Sequence, residues 1–187
     1  EALASARNGA KTILVQDRSR LGGNSSSEIK MHPLGVDGDK WGWREAGILE
    51  ELKLENAANN PQRSWDMWDL MLYDKCVTEP NLTLLLDTAV YSADTDGGKI
   101  AAVYARSDKT LKIYRIKAKV YIDSTGDSRL AMESGAELMN GREGSEKYGE
   151  PLADTYERGK HLCSSIMFTS KDCGKPVSFK APPWAKK

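Results

Sequence analysis

The run KTILVQ (residues 11–16) is apolar and rich in β-branched residues. It follows an Ala- and Leu-rich stretch, residues 1–8, that stops at Gly9. This pattern predicts a helix end followed by a buried parallel strand. Residues 17–23 (DRSRLGG) are polar and Gly-rich and predict a loop, which continues irregularly through residues 25–35. Ile48, Leu49, Leu52 and Leu54 among acidic residues predict a helix over 43–58, broken at Asn59, Asn60 and Pro61. A second helix is expected over 65–77, with Ser64 as its N-cap and Trp65, Trp68, Asp69, Leu72 and Cys76 at three-to-four spacing. Strands are expected at 82–86 and 89–94. A hairpin turn at Asp96-Gly97-Gly98 joins alternating arms at 100–106 and 112–117. A short apolar strand is expected at 118–122, a short helix at 128–135, a polar Gly-rich stretch at 136–157 and a further strand at 161–169. Helices alternating with strands, plus a local meander, predict an α/β fold with a βαβ-type layer.

Composition narrows the function. Lys plus Arg is 27 and Asp plus Glu is 27, for a formal net charge of zero. Electrostatic capture of nucleic acid is therefore not expected as the main activity. Hydrophobic residues make up 40% and charged residues 29% of the 187, the profile of a soluble globular protein. No apolar run approaches the roughly 20 residues of a membrane-spanning helix. Cys76, Cys163 and Cys173 form no C-x-x-C pair, so neither a disulfide framework nor a structural zinc site is expected.

Two segments carry candidate chemistry. LGGNSSS (residues 21–27) follows the first strand, and its paired glycines permit close approach of the backbone to a phosphate. As a bare Gly-Gly it also reads as a flexible polar turn. DSTGD (residues 123–127) lies between an apolar run and a helix, where ligands of open α/β sheets gather. There Thr125 and Gly126 would present N–H groups. The plainer reading is that Ser124 or Asp127 caps the next helix. Gln16 ends the first strand, at the position where such units hold ribose hydroxyls.

The segments GAKTILVQDRSRLGGNSSSEIKMH, WGWREAGILEEL, NNPQRSWDMWDLMLYD, EPNLTLLLDT and AKVYIDSTGDSRLAMESGAE, taken in this order, resemble a bacterial FAD-dependent oxidoreductase family. That family has the glutathione-reductase-type flavoprotein fold. The resemblance implies a Rossmann-like FAD-binding layer over residues 1–135, a β-meander insertion at about 88–117, and the start of a substrate domain at 136–187. It also implies truncation at both ends, because the family's G-x-G-x-x-G lies upstream of Glu1 and its flavin-completing segment beyond Lys187. FAD is the implied cofactor of the full-length protein, bound weakly or not at all by these 187 residues alone. By the same resemblance Gln16 faces the adenosine ribose and Arg18 lies near the adenine or ribose. Leu21, Gly22, Gly23 and Asn24 pass the pyrophosphate toward the flavin. Ala89 and Val90 contact the adenine by backbone, and Thr125, Gly126 and Asp127 close the other side. Gln16 stands where many relatives of the wider fold carry Glu, and an amide holds a hydroxyl less strongly than a carboxylate.

Disulfide reductases of this fold carry a cysteine pair shortly after the glycines. Residues 24–29 here are NSSSEI, without sulfur. A hydroxyl cannot exchange with a disulfide, so flavin-mediated redox of a small organic substrate without a redox disulfide is expected, and Ser26 is expected to be dispensable for flavin binding. His32 and Arg44 are the candidate catalytic residues, one for proton transfer and one for a substrate carboxylate, although a hydrogen-bonded loop histidine and a helix-start ion pair are the blander readings. Arg142 and Glu143 are weaker candidates of the same kind. Trp41, Trp43, Trp65 and Trp68 are expected to be core. The alternative function is a non-catalytic α/β binding or interaction module without cofactor. The expected partner is a small-molecule substrate, with homo-oligomers forming through exposed strand edges. A cytoplasmic and a periplasmic location both fit.

Overall fold

The computed structural model describes residues 1–33, 45–154, 168 and 170–185, in two units, Glu1–Met139 and Asn140–Lys187.

The first unit opens on helix α1 (Ala2–Arg7), whose alanines favour helix and whose Leu3 and Ala6 are buried on one face. Gly9, at φ +87°, turns the chain out of the helix. Strand β1 (Thr12–Val15) follows, and it pairs in parallel with β2 (Leu82–Leu85), Thr12 opposite Leu82 and Val15 opposite Leu85. Parallel strands require a long crossover. Here it includes helices α2 (Ile48–Asn59) and α3 (Trp65–Val77). α1 packs on β1 and α3 on β2. Between them Leu3, Ala6, Leu21, Cys76 and Leu82 form the buried core, with Leu14, Leu72, Leu84 and Leu86 against it. This is the Rossmann-like layer, with helices on a parallel pair.

The helices are also tied by charge. Arg7 makes a bidentate contact with Glu51 at 2.6 and 2.9 Å, and Lys75 reaches Glu55 at 2.6 Å and Glu51 at 3.3 Å. The hydrogen bonds from Arg7 hold the Glu51 carboxyl at about 2, well below its ordinary 4.5. A lowered folded-state pKa contributes stability that is complete above the unfolded value and is lost as pH falls through the folded one. With 38% of the Glu51 side chain exposed, solvent screens the pair to under about 1 kcal/mol. Glu51→Gln is therefore expected to lower the thermal midpoint near pH 7 by at most about 2–4 °C. That difference should shrink as pH falls from 4.5 toward 2. An undiminished difference at the acid end would show that this carboxylate is not the source.

The meander consists of β3 (Thr88–Asp96), β4 (Lys99–Ser107) and β5 (Ile113–Ile116), antiparallel in that order. Gly97 and Gly98, at φ +55° and +76°, make the tight turn that only a pair tolerant of positive φ allows. β4 is central and buries Ala102, Val103 and Ala105. The meander starts where β1 ends, since the Thr88 N–H donates to Gln16 O at 2.9 Å and the Asp87 N–H to Arg18 O at 3.1 Å. Helix α4 (Arg129–Glu133) packs on β3.

Several expectations are corrected. The first long helix starts at Ile48 rather than 43. Residues 34–44 lie outside the described residues, and Gly47 at φ +71° precedes the helix. Ser64 occupies the N-cap of α3, but its hydroxyl makes no capping bond. Buried Asn60 does the local work instead: its amide nitrogen donates to Asn56 Oδ1 and Ser64 O, and its amide oxygen accepts from the Ser64 N–H at 2.8 Å. Residues 118–122 are not a strand. Val120 and Ile122 are 74% and 56% exposed, and among the described residues no strand lies beside them to accept their ladder bonds. The strand expected at 161–169 lies, apart from Phe168, outside the described residues, and Phe168 is not in a strand. In the second unit a short helix, α5 (Ser145–Tyr148), forms in a stretch that reads only as polar loop, closed by the Ser145 N–H on Asp154 O at 2.9 Å. Among the described residues no helix is long and apolar enough to cross a membrane.

Candidate functional site

The site is built at the carboxyl end of β1. Gln16 leaves the strand with its N–H on Leu85 O at 2.9 Å. Its side chain closes its own loop, Nε2 donating to Arg20 O at 3.0 Å and Oε1 accepting from the Asp17 N–H at 3.1 Å. Arg18 pairs with Glu28 at 2.8 Å. That hydrogen bond raises the guanidinium pKa above its ordinary value, and Asp127 is near enough to add to the effect. The first loop and the DSTGD segment, far apart in sequence, are therefore within electrostatic reach of each other. Leu21 is a core residue, buried against α1 and α3, so only its backbone is available to a ligand.

The two glycines that follow differ. Gly22 is at φ +102°, and a Cβ there would lie 2.4 Å from Ser25 O and 3.1 Å from Leu72 Cδ1. It is a glycine because its own loop folds back on it. Gly23, at φ +56°, has nothing within 4 Å of a Cβ position. The Ser25 N–H donates to Gly22 O, and the Met31 N–H to Asn24 O, each at 2.9 Å. Ser26 is fixed within the same loop. It is buried, and its Oγ donates to Gly23 O at 2.7 Å and accepts the Glu28 N–H at 3.2 Å, bracing the glycine turn from below. The Ser25 hydroxyl is buried with no partner among the described residues.

Helix α3 pins this loop from the side. Asp69, 5% exposed, accepts from the Ser27 N–H at 3.0 Å and from Arg20 at 3.2 Å, and Trp68 Nε1 donates to Ser25 O at 2.8 Å. Sequence reasoning did not single out Asp69 as a site residue. The signal was present: an acidic residue among Trp65, Trp68, Leu72 and Cys76 on the apolar face of a helix must be paired.

Ala89 and Val90 follow Thr88 at the start of β3, opposite Arg106 and Ala105, both half-buried and close to the β1 exit. Thr125, Gly126 and Asp127 are exposed. The cap of α4 is carried by Asp123 and Thr125, not by Ser124 or Asp127. Asp123 Oδ2 accepts the Ala131 N–H at 2.9 Å, Oδ1 accepts the Thr125 N–H and hydroxyl, and Thr125 Oγ1 accepts the Arg129 N–H at 2.8 Å. Burial opposes ionisation of Asp123, but these bonds outweigh it and hold its carboxyl below the usual range. Ser124 instead donates to Glu1 beside α1. Among the described residues, the N–H groups of Gly23, Asn24, Gly126 and Asp127 meet no acceptor.

His32 is exposed, with its ring 5.0 Å from that of Trp65 and tilted to it, one residue beyond the Met31–Asn24 bond. Arg44, Trp41 and Trp43 lie outside the described residues. Trp68 is core and Trp65 half-buried. Arg142 faces Asp154 at 3.7 Å in the second unit. Burial raises the Cys76 thiol above its ordinary pKa, which disfavours the reactive thiolate. Among the described residues no group of three His, Cys, Asp or Glu side chains has the arrangement of a metal site.

A family model described as FAD dependent oxidoreductase matches residues 2–187 of the chain. No curated protein matches it.

Proposed function

The chain belongs to the FAD dependent oxidoreductase family, and from that premise we propose that its β1-exit loop binds FAD for redox of a small organic substrate without a thiol relay. FAD is the cofactor of the family. The observation that carries the site assignment is the pair of loops whose N–H groups, at Gly23-Asn24 and Gly126-Asp127, meet no acceptor among the described residues. Bare N–H groups on loops of positive φ are suited to a pyrophosphate. Among the described residues, a Cβ on the open side of Gly23 would meet nothing within 4 Å and the Ser25 hydroxyl has no partner, and both support the fit.

In this reading Gln16 and Arg18 stand at the adenosine end, with Ala89 and Val90 offering backbone to the base. Leu21 anchors the loop while Gly22, Gly23 and Asn24 lead from pyrophosphate to flavin. Thr125, Gly126 and Asp127 face them. Gln16 would give up its bond to Arg20 O or keep it and present only its remaining amide hydrogen. Bound FAD supplies the two-electron chemistry. The chain's residues orient it and exclude water, and His32, next to the flavin end of the loop, is placed to move a proton. Arg44 is the proposed partner of a substrate carboxylate. Residues 1–135 form the cofactor domain and 136–187 begin the substrate domain.

Residues 24–29 hold no sulfur, and Cys76 is buried in the core. The test is made on the intact flavoprotein. A variant with Cys76→Ala, Cys163→Ser and Cys173→Ser is expected to retain its flavin and to be reduced by the organic substrate as fast as the parent. Retained flavin with lost turnover would overturn the thiol-free reading. A natively purified protein that neither carries nor takes up FAD would overturn the site.

A further inference from the structure

Asp87 joins the two segments assigned to the adenosine end of the cofactor, and its carboxylate has no role in the site described so far. It lies between β2 and β3 in the left-handed region, at φ +50°. Its N–H donates to Arg18 O at 3.1 Å, and its carbonyl accepts the Asp108 N–H at 2.9 Å. One carboxylate oxygen accepts the Ser19 hydroxyl. The other accepts Lys109 Nζ at 2.7 Å, and the same ammonium lies 3.3 Å from Ser19 Oγ. One side chain thus fastens the loop after β1, the entry to β3 and the β4–β5 turn. Gln16 and Arg18 hang from one side of this knot and Ala89 and Val90 from the other. The Thr88 N–H on Gln16 O, at 2.9 Å, completes the tie.

The geometry points to Lys109 and Asp87 as positioning residues for the adenosine half of the cofactor: Lys109, from the meander, clasps Asp87 and Ser19 and so sets the spacing between the Gln16–Arg18 loop and the Ala89–Val90 backbone. This rests on the adenosine-site reading of the preceding subsection. Neither residue touches the nucleotide in this account. Lys109 is 66% exposed, so its loss leaves the core intact. A single partly exposed pair of this kind is worth a few-fold in affinity rather than orders of magnitude.

The full-length protein is stripped of flavin and titrated with FAD and, in competition, with AMP, which carries the adenosine half with one of the two phosphates. Lys109→Met is expected to weaken FAD and AMP by the same factor, about threefold to fivefold. Lys109→Arg should restore both, and the flavin absorption spectrum should be unchanged. Ser26→Ala, which removes two bonds within the glycine turn, should weaken FAD more than AMP, in contrast to the expectation from its lack of sulfur alone. Gln16→Ala reports on the underlying site. If Gln16→Ala weakens AMP and Lys109→Met does not, the clasp is overturned and the adenosine site stands. If neither changes AMP or FAD affinity, both fall. If Lys109→Met weakens FAD but leaves AMP untouched, the residue acts elsewhere and the positioning role is overturned.

Discussion

Replacing Asp69 with leucine is expected to release the whole glycine loop from helix α3. Asp69 is nearly fully buried and accepts from the Ser27 N–H and from Arg20. Leucine has similar bulk and fits an apolar helix face, so packing alone would suffer little. The cost comes from the partners left behind. A buried backbone N–H without an acceptor costs about 1–3 kcal/mol. Arg20 is half-exposed and recovers part of its loss by hydration. The expected destabilisation is about 2–3 kcal/mol, read as a shift in the denaturation midpoint. Flavin content should fall further than stability does, because Ser25, Ser26 and the Gly22–Asn24 turn all hang from this attachment. Asp69→Asn keeps an acceptor for Ser27 and should lie between the two. A leucine variant with parental midpoint and full flavin would show that the loop holds itself.

The second large effect separates the two glycines. Gly22→Ala forces a Cβ to within 2.4 Å of Ser25 O at φ +102°. The clash is with backbone, so the loop must rearrange, at about 3 kcal/mol in the absence of any ligand. Gly23→Ala meets no neighbour. Its only intrinsic penalty is the left-handed backbone, about 1–2 kcal/mol. Its effect on FAD should be at least tenfold, equal to about 1.4 kcal/mol, because the Cβ enters the space assigned to the cofactor. Gly23→Asn makes the comparison clean. Asparagine tolerates positive φ, so strain is relieved while the Cβ remains. Stability close to the parent with flavin lost is the expected outcome, measured as flavin per mole after gel filtration. Full occupancy in Gly23→Asn would place the cofactor away from this face. Lost flavin in Gly22→Ala, by contrast, says nothing about contact with cofactor, since the loop fails first.

The fold was legible wherever a local pattern carries its own answer. The β-branched run at 12–15, the apolar spacing from Trp65 to Cys76 and the Gly97-Gly98 turn each specify an element without help from the rest of the chain. Residues 118–122 read as a strand for the same reason, yet a strand also needs a neighbour, and composition does not reveal one. Ser64 shows a related limit. Its position was legible, but its hydroxyl makes no capping bond, and the Asn60 amide four residues upstream instead holds the backbone N–H and C=O of Ser64 itself. In the site, the glycines were visible but not their difference, which depends on which way each missing Cβ points. Asp87 was hidden because Ser19 and Lys109, its side-chain partners, are brought to it only by the fold. The bonds of Ser26 and Asp123 are local, but which nearby N–H or C=O each takes depends on the turn geometry.

The pairing distances carry a consequence for the order of assembly. The strands of the meander pair with their sequence neighbours, starting from the tight turn at Gly97-Gly98. The parallel pair joins Thr12 to Leu82, about 70 positions apart, so its closure pays a far larger loop entropy before any contact repays it. The meander can therefore zip early, while β1 docks late. Every residue of the proposed adenosine end is supplied by one or the other of these pieces. Cofactor would then find its site only after the slow, non-local step, and by binding the joined form it would hold that step closed.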